Sequence, residues 1–321
     1  MIFSKQIEKL YRAQLFGRCD DVGNARYFSA EDFEGLMKEP FSFVSARGER
    51  LHGYFYSYEG YTEGRLIVFD HGYGGGHRSY MKEIEMLCRH GFRVFAYDHT
   101  GCMESEGKST CGFAQSLSDL NDALNALKAD EGCKNNTFSV VGHSWGAFSC
   151  LNITALHPDI AHVVAISGFI SVEAMINQNF SGIMKGYRKH ILKIEQDTNP
   201  KFVGYNAIDT LSKTDAEVLL IYSSSDKLVK KEHHFDLLEK GLAGKKNIRL
   251  ILTENKGHNP NYTEDAVKYL GEFSTDIASK KKAKKLETSE QKSAFVASYD
   301  WNRMTAQDEK VWSEIFSTLD K

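Results

Sequence analysis

The chain has no C-x-x-C pair among its six cysteines, Cys19, Cys88, Cys102, Cys111, Cys133 and Cys150, and none of them clusters with histidine at metal-ligand spacing. Reduced thiols in a cytoplasmic setting are the expectation. Charge of one sign is also missing: 43 acidic against 40 basic residues leave a formal net charge of −3, which gives no electrostatic reason to expect a nucleic-acid partner. No uncharged apolar run opens the chain, because Met1 to Phe16 carries Lys5, Glu8, Lys9 and Arg12. This segment therefore reads as neither a secretory signal nor a membrane span. Without export, the sequons at Asn135, Asn152, Asn179 and Asn261 are read as chance matches. Internal repeats and low-complexity domains are absent. So are G-x-x-x-x-G-K-[ST] and a dinucleotide-type G-x-G-x-x-G between strand and helix, and neither a metal nor an organic cofactor is expected.

What is present suits one large α/β domain spanning 1–321: 321 residues, 41% hydrophobic, enough to bury a full core. Near the start, Phe3, Ile7, Leu10, Tyr11 and Leu15 fall at helical spacing. They predict an amphipathic helix packed on the domain, with a membrane-surface helix as the other reading. Phe41 to Ser45 and Leu51 to Tyr56 alternate around Arg47-Gly48-Glu49, the pattern of an antiparallel hairpin. Short apolar runs follow at Leu66–Phe69, Val94–Tyr97, Phe138–Val141, Val163–Ile166, Val218–Ile221 and Ile248–Leu252. Such runs read as buried parallel strands. Helical stretches at Ser79–Arg89, Gln115–Ala129, Trp145–Leu156 and Glu232–Leu242 separate most of them, so right-handed crossovers and a doubly wound, mostly parallel sheet are predicted.

The gap over 169–213 exceeds an ordinary connection. Ile176, Phe180, Ile183, Met184, Tyr187, Ile191 and Ile194 fall at helical spacing within it. It reads as a helical insertion, either packed on the sheet or forming a cap, with Met175, Phe180, Met184 and Tyr187 as candidate substrate contacts. Residues 279–303, with Lys280-Lys-Lys-Ala-Lys-Lys285, read as a connecting segment; its lysines suit a solvated face, with contact to an anionic surface as the alternative. A last helix is expected after Thr305-Ala-Gln-Asp308, a capping-box-like start, with Val311, Trp312, Ile315, Phe316 and Leu319 on one face against the sheet.

The chemistry concentrates in Gly142-His143-Ser144-Trp145-Gly146, a G-x-S-x-G pentapeptide between a predicted strand and a predicted helix. There the turn is so sharp that glycines are needed for strand and helix to approach, and the serine points outward at a helix N-terminus. Ser144 is the candidate nucleophile. A serine nucleophile needs a base, an acid that orients the base, and donors for the oxyanion. Asp226 follows the Val218–Ile221 strand, and His258, in Gly257-His258, follows the next one. His143, the variable elbow position, is expected to pack or face solvent, and His71 to brace its loop through a backbone hydrogen bond. Asp70 and Asp98 are read as structural. The loop Asp70-His-Gly-Tyr-Gly-Gly-Gly76 follows the Leu66–Phe69 strand and can aim N–H groups inward, so the N–H groups of Tyr73 and Trp145 are the candidate oxyanion donors.

With these residues in place, the chain resembles an α/β-hydrolase-fold serine hydrolase through His71-Gly72-Tyr73, Asp98 to Gly107, Gly142 to Gly146, Asp226 and Gly257-His258, over roughly Phe41 to Asn259. Within that fold it is similar to the branch holding monoglyceride-lipase-like, serine-aminopeptidase-like and bacterial cinnamoyl or feruloyl esterase enzymes, which share His-Gly-aromatic and G-H-S-x-G. Met103-Glu104 departs from the family pattern D-x-x-G-x-G-x-S, and so does the long tail after His258. The resemblance implies that Ser144 attacks a carbonyl, His258 moves the proton and Asp226 holds the imidazole. It implies hydrolysis of carboxylic esters with small to medium acyl groups. An aminopeptidase or amidase with the same residues is the closest alternative, with Glu173 or Glu195 as a possible amine anchor. A thioesterase, an acyltransferase or a non-catalytic ligand receptor also stays open.

Overall fold

The computed structural model describes residues 2–321, with side chains from Lys5 onward, so Phe3 of the predicted helix lies outside the described side chains. Eight strands are present: β1 (Met37–Val44), β2 (Arg50–Ser57), β3 (Arg65–Asp70), β4 (Arg93–Tyr97), β5 (Thr137–His143), β6 (His162–Ile166), β7 (Glu217–Ser223) and β8 (Ile248–Thr253). They form one sheet in the order β1-β2-β4-β3-β5-β6-β7-β8. β1 pairs antiparallel with β2, and β2 antiparallel with β4; every other pairing is parallel. The doubly wound, mostly parallel sheet with a leading antiparallel hairpin is the arrangement expected from the alternation of apolar runs and helical stretches, and the α/β-hydrolase fold is the one the resemblance implies.

The helices are α1 (Ile2–Leu15), α2 (Met81–Arg89), α3 (Gln115–Ala129), α4 (Trp145–Ile153), α5 (Val172–Asn179), α6 (Arg188–Thr198), α7 (Ala207–Leu211), α8 (Phe235–Gly241), α9 (Glu264–Lys282), α10 (Ser289–Ala297), α11 (Trp301–Met304) and α12 (Glu309–Leu319). Successive strand residues point to opposite faces, which divides the core in two. Leu66, Val68, Val140, Val163 and Leu220 face α3 to α8, together with Tyr11 of α1. Ile67, Phe69, Val141, Val164 and Leu219 face α2 and α9 to α12. Covered on both faces, the central strands are apolar at nearly every position rather than alternating.

Three local features differ from the sequence reading. α1 packs through buried Tyr11 and half-buried Ile7 and Leu15, while Leu10 is exposed. Residues 279–303, read as a connection, contain the end of α9, all of α10 and the first three residues of α11, and they bury Phe295 and Trp301 against Phe273. The last helix is capped by Asp308 rather than from Thr305: the Asp308 carboxylate accepts from the Lys310 and Val311 N–H groups, whereas the Thr305 hydroxyl donates back to the Trp301 carbonyl and finishes α11. An aspartate one residue before the helix meets the unpaired N–H groups directly, so it outcompetes a more distant threonine. Among the described residues no helix is long and apolar enough to cross a membrane.

Candidate active site

The strand order turns at β3, whose neighbours β4 and β5 lead away in opposite directions. A crevice outside the carboxyl ends of the strands is expected at such a point. The loop after β3 carries Tyr73 and the loop after β5 carries Ser144 and Trp145. After β5 the chain turns at Ser144 with φ 56° and ψ −109°, a conformation disfavoured for an L-residue and worth about 1–3 kcal/mol of local strain. Two bonds hold it there: the Ser144 N–H donates to the Ile166 carbonyl at 2.8 Å, and the Phe148 N–H donates to the Ser144 carbonyl at 3.0 Å. The glycines are required by contact. A Cβ on Gly146 would lie 2.0 Å from the Asp70 carbonyl oxygen, and one on Gly142 would lie 2.7 Å from the Gly146 carbonyl carbon. Strand, helix and the end of β3 therefore meet with no room for a methyl group.

Asp226 and His258 come together from the loops after β7 and β8. The Asp226 carboxylate is anchored at one oxygen, which accepts from the N–H groups of Leu228 at 2.8 Å and Val229 at 3.0 Å. Its other oxygen lies 2.7 Å from His258 Nδ1. The carboxylate is fully buried, and the imidazole is 16% exposed. The serine run before Asp226 has a local purpose. Ser223 Oγ accepts from the Lys256 N–H at 3.2 Å and Ser225 Oγ from the Gly257 N–H at 3.0 Å, which fixes the His258 loop to the Asp226 loop. Lys256, itself buried, donates from Nζ to the Tyr262 carbonyl at 2.6 Å and pairs with the Asp308 carboxylate. Ser144 is half-buried, and among the described residues its hydroxyl makes no hydrogen bond to His258.

His143 joins the elbow to the His258 loop. Its Nε2–H donates to the His258 main-chain carbonyl at 2.8 Å, and its Nδ1 accepts from the Tyr80 hydroxyl at 2.9 Å. The Tyr80 oxygen accepts in turn from the Gly72 N–H at 3.2 Å. Buried and next to His258, His143 is pushed down to about 3, so it stays neutral and keeps this donor–acceptor polarity. Sequence reasoning left His143 as packing or solvated, and it missed Tyr80 altogether. No spacing rule links Gly72, Tyr80 and His143.

The loop after β3 is held from beneath. His71 donates from Nδ1 to the Gly72 carbonyl at 2.8 Å and accepts the His99 N–H on Nε2 at 3.0 Å, as its predicted bracing role requires. Burial and the neighbouring His99 charge push it down to about 3. His99 lies between two buried carboxylates, with Nε2 2.8 Å from Asp70 and Nδ1 3.3 Å from Asp119. Burial alone would lower His99, but these two carboxylates raise it to about 10. Asp98 accepts from the His77 N–H and ring at 2.8 Å and from the Glu104 N–H at 3.1 Å, which pins the Met103-Glu104 departure. Among the described residues, the N–H groups of Tyr73 and Trp145 donate to no protein acceptor. That of Trp145 opens α4, where helical N–H groups have no partner within the helix.

The remaining candidates lie in 169–213. Met175, Phe180, Met184 and Tyr187 are all half-buried; Met175 and Phe180 pack on the core, and the Phe180 ring lies 6.2 Å from Tyr11. Glu195 is fully buried. One oxygen accepts from the Tyr11 hydroxyl at 2.6 Å and the other from the Phe113 N–H at 3.0 Å, so it ties α6 to α1 and is not free to anchor an amine. Glu173 is exposed. Among the described residues no group of three or more His, Cys, Asp or Glu side chains could hold a metal ion.

A family model described as alpha/beta hydrolase fold matches residues 65–193. Epoxide hydrolase B of Mycobacterium tuberculosis is 30% identical over 135 residues, which are 41% of this chain and 36% of that protein, so the chain spans about a third of the curated relative it matches. Among solved structures, the Pyrococcus furiosus esterase Pf2001 superposes with a TM-score of 0.59 at 22% identity, covering 82% of this chain and 98% of that one. Est1E from Butyrivibrio proteoclasticus, solved with ferulic acid, gives 0.56 at 18% identity over 74% and 99% of the two chains. An acetyl xylan esterase from Paenibacillus sp. R4 gives 0.55 at 17% identity over 80% and 88%. With its sheet order, its serine elbow and these likenesses in agreement, the chain is an alpha/beta-hydrolase-fold protein.

Proposed function

We propose that the protein is a serine hydrolase that cleaves carboxylic esters of small to medium acyl groups through an acyl-enzyme. The observation that carries this reading is the 2.7 Å contact between a backbone-anchored, buried Asp226 carboxylate and His258 Nδ1. It orients an imidazole whose other nitrogen is left for a proton from Ser144. In this mechanism Ser144 Oγ attacks the ester carbonyl and His258 Nε2 takes the hydroxyl proton. The Tyr73 and Trp145 N–H groups receive the oxyanion. His258 returns the proton to the leaving alkoxide, and water then repeats the sequence on the acyl-enzyme. Each oxyanion donor is worth about 3 kcal/mol in such reactions. Residues 169–213 would cap the acyl side, with Met175 and Phe180 against the substrate.

The esterase names of the solved neighbours support the ester reading. The buried, fully engaged Glu195 weighs against the aminopeptidase alternative, which needs a free carboxylate for the α-amino group. Epoxide hydrolysis, the activity of the curated relative, commonly relies on a carboxylate at the elbow, and Ser144 stands there instead. The test is a panel of chain-graded p-nitrophenyl esters, hydroxycinnamate esters and aminoacyl amides, with Ser144→Ala as control and fluorophosphonate labelling in parallel. Ester turnover and labelling that both vanish in Ser144→Ala are expected. Undiminished turnover in that variant would refute the assignment.

A further inference from the structure

Cys19 and Cys102 are 83 positions apart in sequence, yet they are directly paired. The arm after α1 lies alongside the loop that follows β4 as a one-residue parallel bridge, Cys19 opposite Cys102. Both bridge bonds are made: the Cys19 N–H donates to the Gly101 carbonyl at 2.9 Å and the Met103 N–H to the Cys19 carbonyl at 2.8 Å. Arg18 secures the same junction by donating to the carbonyls of Ser105 and Gly107, each at 2.8 Å. Paired residues on neighbouring strands lie about 4.8 Å apart and project their side chains to the same face. A disulfide needs Cα atoms roughly 4.4–6.8 Å apart. The bridge therefore places the two residues at the backbone spacing that a disulfide requires.

We infer that Cys19 and Cys102 form an oxidation site for small hydroperoxides, closing to a reversible disulfide beside the loop after β3. The two thiols differ in the way this chemistry needs. Cys19 is half-buried and reachable from solvent, while Cys102 is buried. A hydrogen bond from the Cys102 thiol, with the Gly74 N–H contributing, draws Cys19 below the usual thiol range against the effect of its burial; Cys102 is correspondingly raised. The thiolate is therefore favoured on Cys19, the partner nearer solvent.

With hydrogen peroxide, the Cys19 thiolate attacks one oxygen. The S–O bond forms, the O–O bond breaks, and the departing hydroxide takes a proton to leave as water. Cys102 sulfur then attacks the Cys19 sulfenic acid. The S–S bond forms, the S–O bond breaks, and hydroxide leaves with the Cys102 proton as a second water. Two thiols lose two electrons in all, and the peroxide gains them. The product ties the arm to the β4 loop at a sensitive place. Asp20 and Asp21, next along the arm, line a cavity of about 180 Å³ with Gly76 and Asp98, and the Tyr73 hydroxyl donates to the Gln14 carbonyl at 2.8 Å.

The test uses the full-length protein exposed to hydrogen peroxide, alkylated with iodoacetamide and digested without reductant. Mass spectrometry is expected to find a Cys19–Cys102 peptide two hydrogens lighter than its parts, which dithiothreitol removes, while titratable thiols fall from the six of the sequence to four. In Cys102→Ser, Cys19 is expected to remain as a sulfenic acid that dimedone traps. A cross-link between any other pair, or alkylation of both cysteines after peroxide, overturns the inference. So does a Cys102→Ser protein whose Cys19 takes no dimedone.

Discussion

The imidazole of His143 donates to the main-chain carbonyl of His258 across 2.8 Å, with the two rings 4.7 Å apart. The residue before the elbow serine thus holds the loop of the proposed base, while Tyr80 connects it to the loop of the proposed oxyanion donor. His143→Phe would leave the His258 carbonyl without this donor and the Tyr80 hydroxyl proton without its acceptor, while the Gly72 N–H bond to Tyr80 remains, at a cost of about 1–3 kcal/mol in stability. Displacing His258 by a fraction of an ångström would lower kcat by up to ~100-fold. His143→Gln keeps a donor toward His258 and is expected to recover part of that loss. Melting curves with kcat and KM for a p-nitrophenyl ester check both; equal kcat losses in the two variants would deny His143 a positioning role.

Asp226→Asn should leave the fold in place, because the Leu228 and Val229 N–H groups still have an oxygen to meet. Its effect belongs to the chemistry. An amide cannot stabilise the imidazolium or hold the same tautomer, and a drop in kcat of about 10,000-fold is expected on the proposed mechanism. Steady-state assays with wild-type and variant enzyme decide it, and a drop below tenfold would remove Asp226 from the mechanism.

Gly146→Ala tests the packing of the elbow itself. The added methyl would collide with the Asp70 and His71 carbonyl oxygens, at the end of the central strand β3 and the start of its buried loop, which cannot give way cheaply. A destabilisation of about 3 kcal/mol or more is expected in a denaturant titration, along with lost fluorophosphonate labelling. Gly186, with open space around its Cβ position, is the control and should tolerate alanine.

Burial holds Glu195 up at about 7, despite the hydrogen bonds that favour its charged form. Between the ordinary glutamate range near 4.5 and that value, the folded protein keeps a proton that the unfolded chain has released. Stability contributed by this group therefore declines as pH rises through that window and is level above it. Glu195→Gln does not titrate, so its stability relative to wild type should rise by on the order of 1–3 kcal/mol between pH 5 and pH 8. Thermal melts at the two pH values measure this. A difference that does not change with pH would refute the assigned shift.

The strands were legible because burial on both faces forces apolar, β-branched runs, and the loops that end them bring Ser144, Asp226 and His258 to one edge of the sheet. Asp226–His258 was likewise legible from strand order. The Tyr80–His143–His258 links and the Tyr11–Glu195 tie were not, since each depends on where side chains from distant segments end in space rather than on any period along the chain. Residues 279–303 misled through composition. Their lysines suggested a solvated connection, yet Phe295 and Trp301 recur at a spacing that lets short helices bury them against Phe273. The start of the last helix was misplaced by three residues because two capping residues, Thr305 and Asp308, compete there and one of them ends the preceding turn.

Lys256 gives the C-terminal tail a say in the site. Two residues before His258, it reaches past the Tyr262 carbonyl to the aspartate that caps α12. The final helix is therefore a tether on the proposed base, and a tag, truncation or partner that loosens its first turn would be felt as misaligned catalysis while the sheet remained intact. Loss of turnover ahead of loss of structure would be the signature of trouble at the far end of the chain.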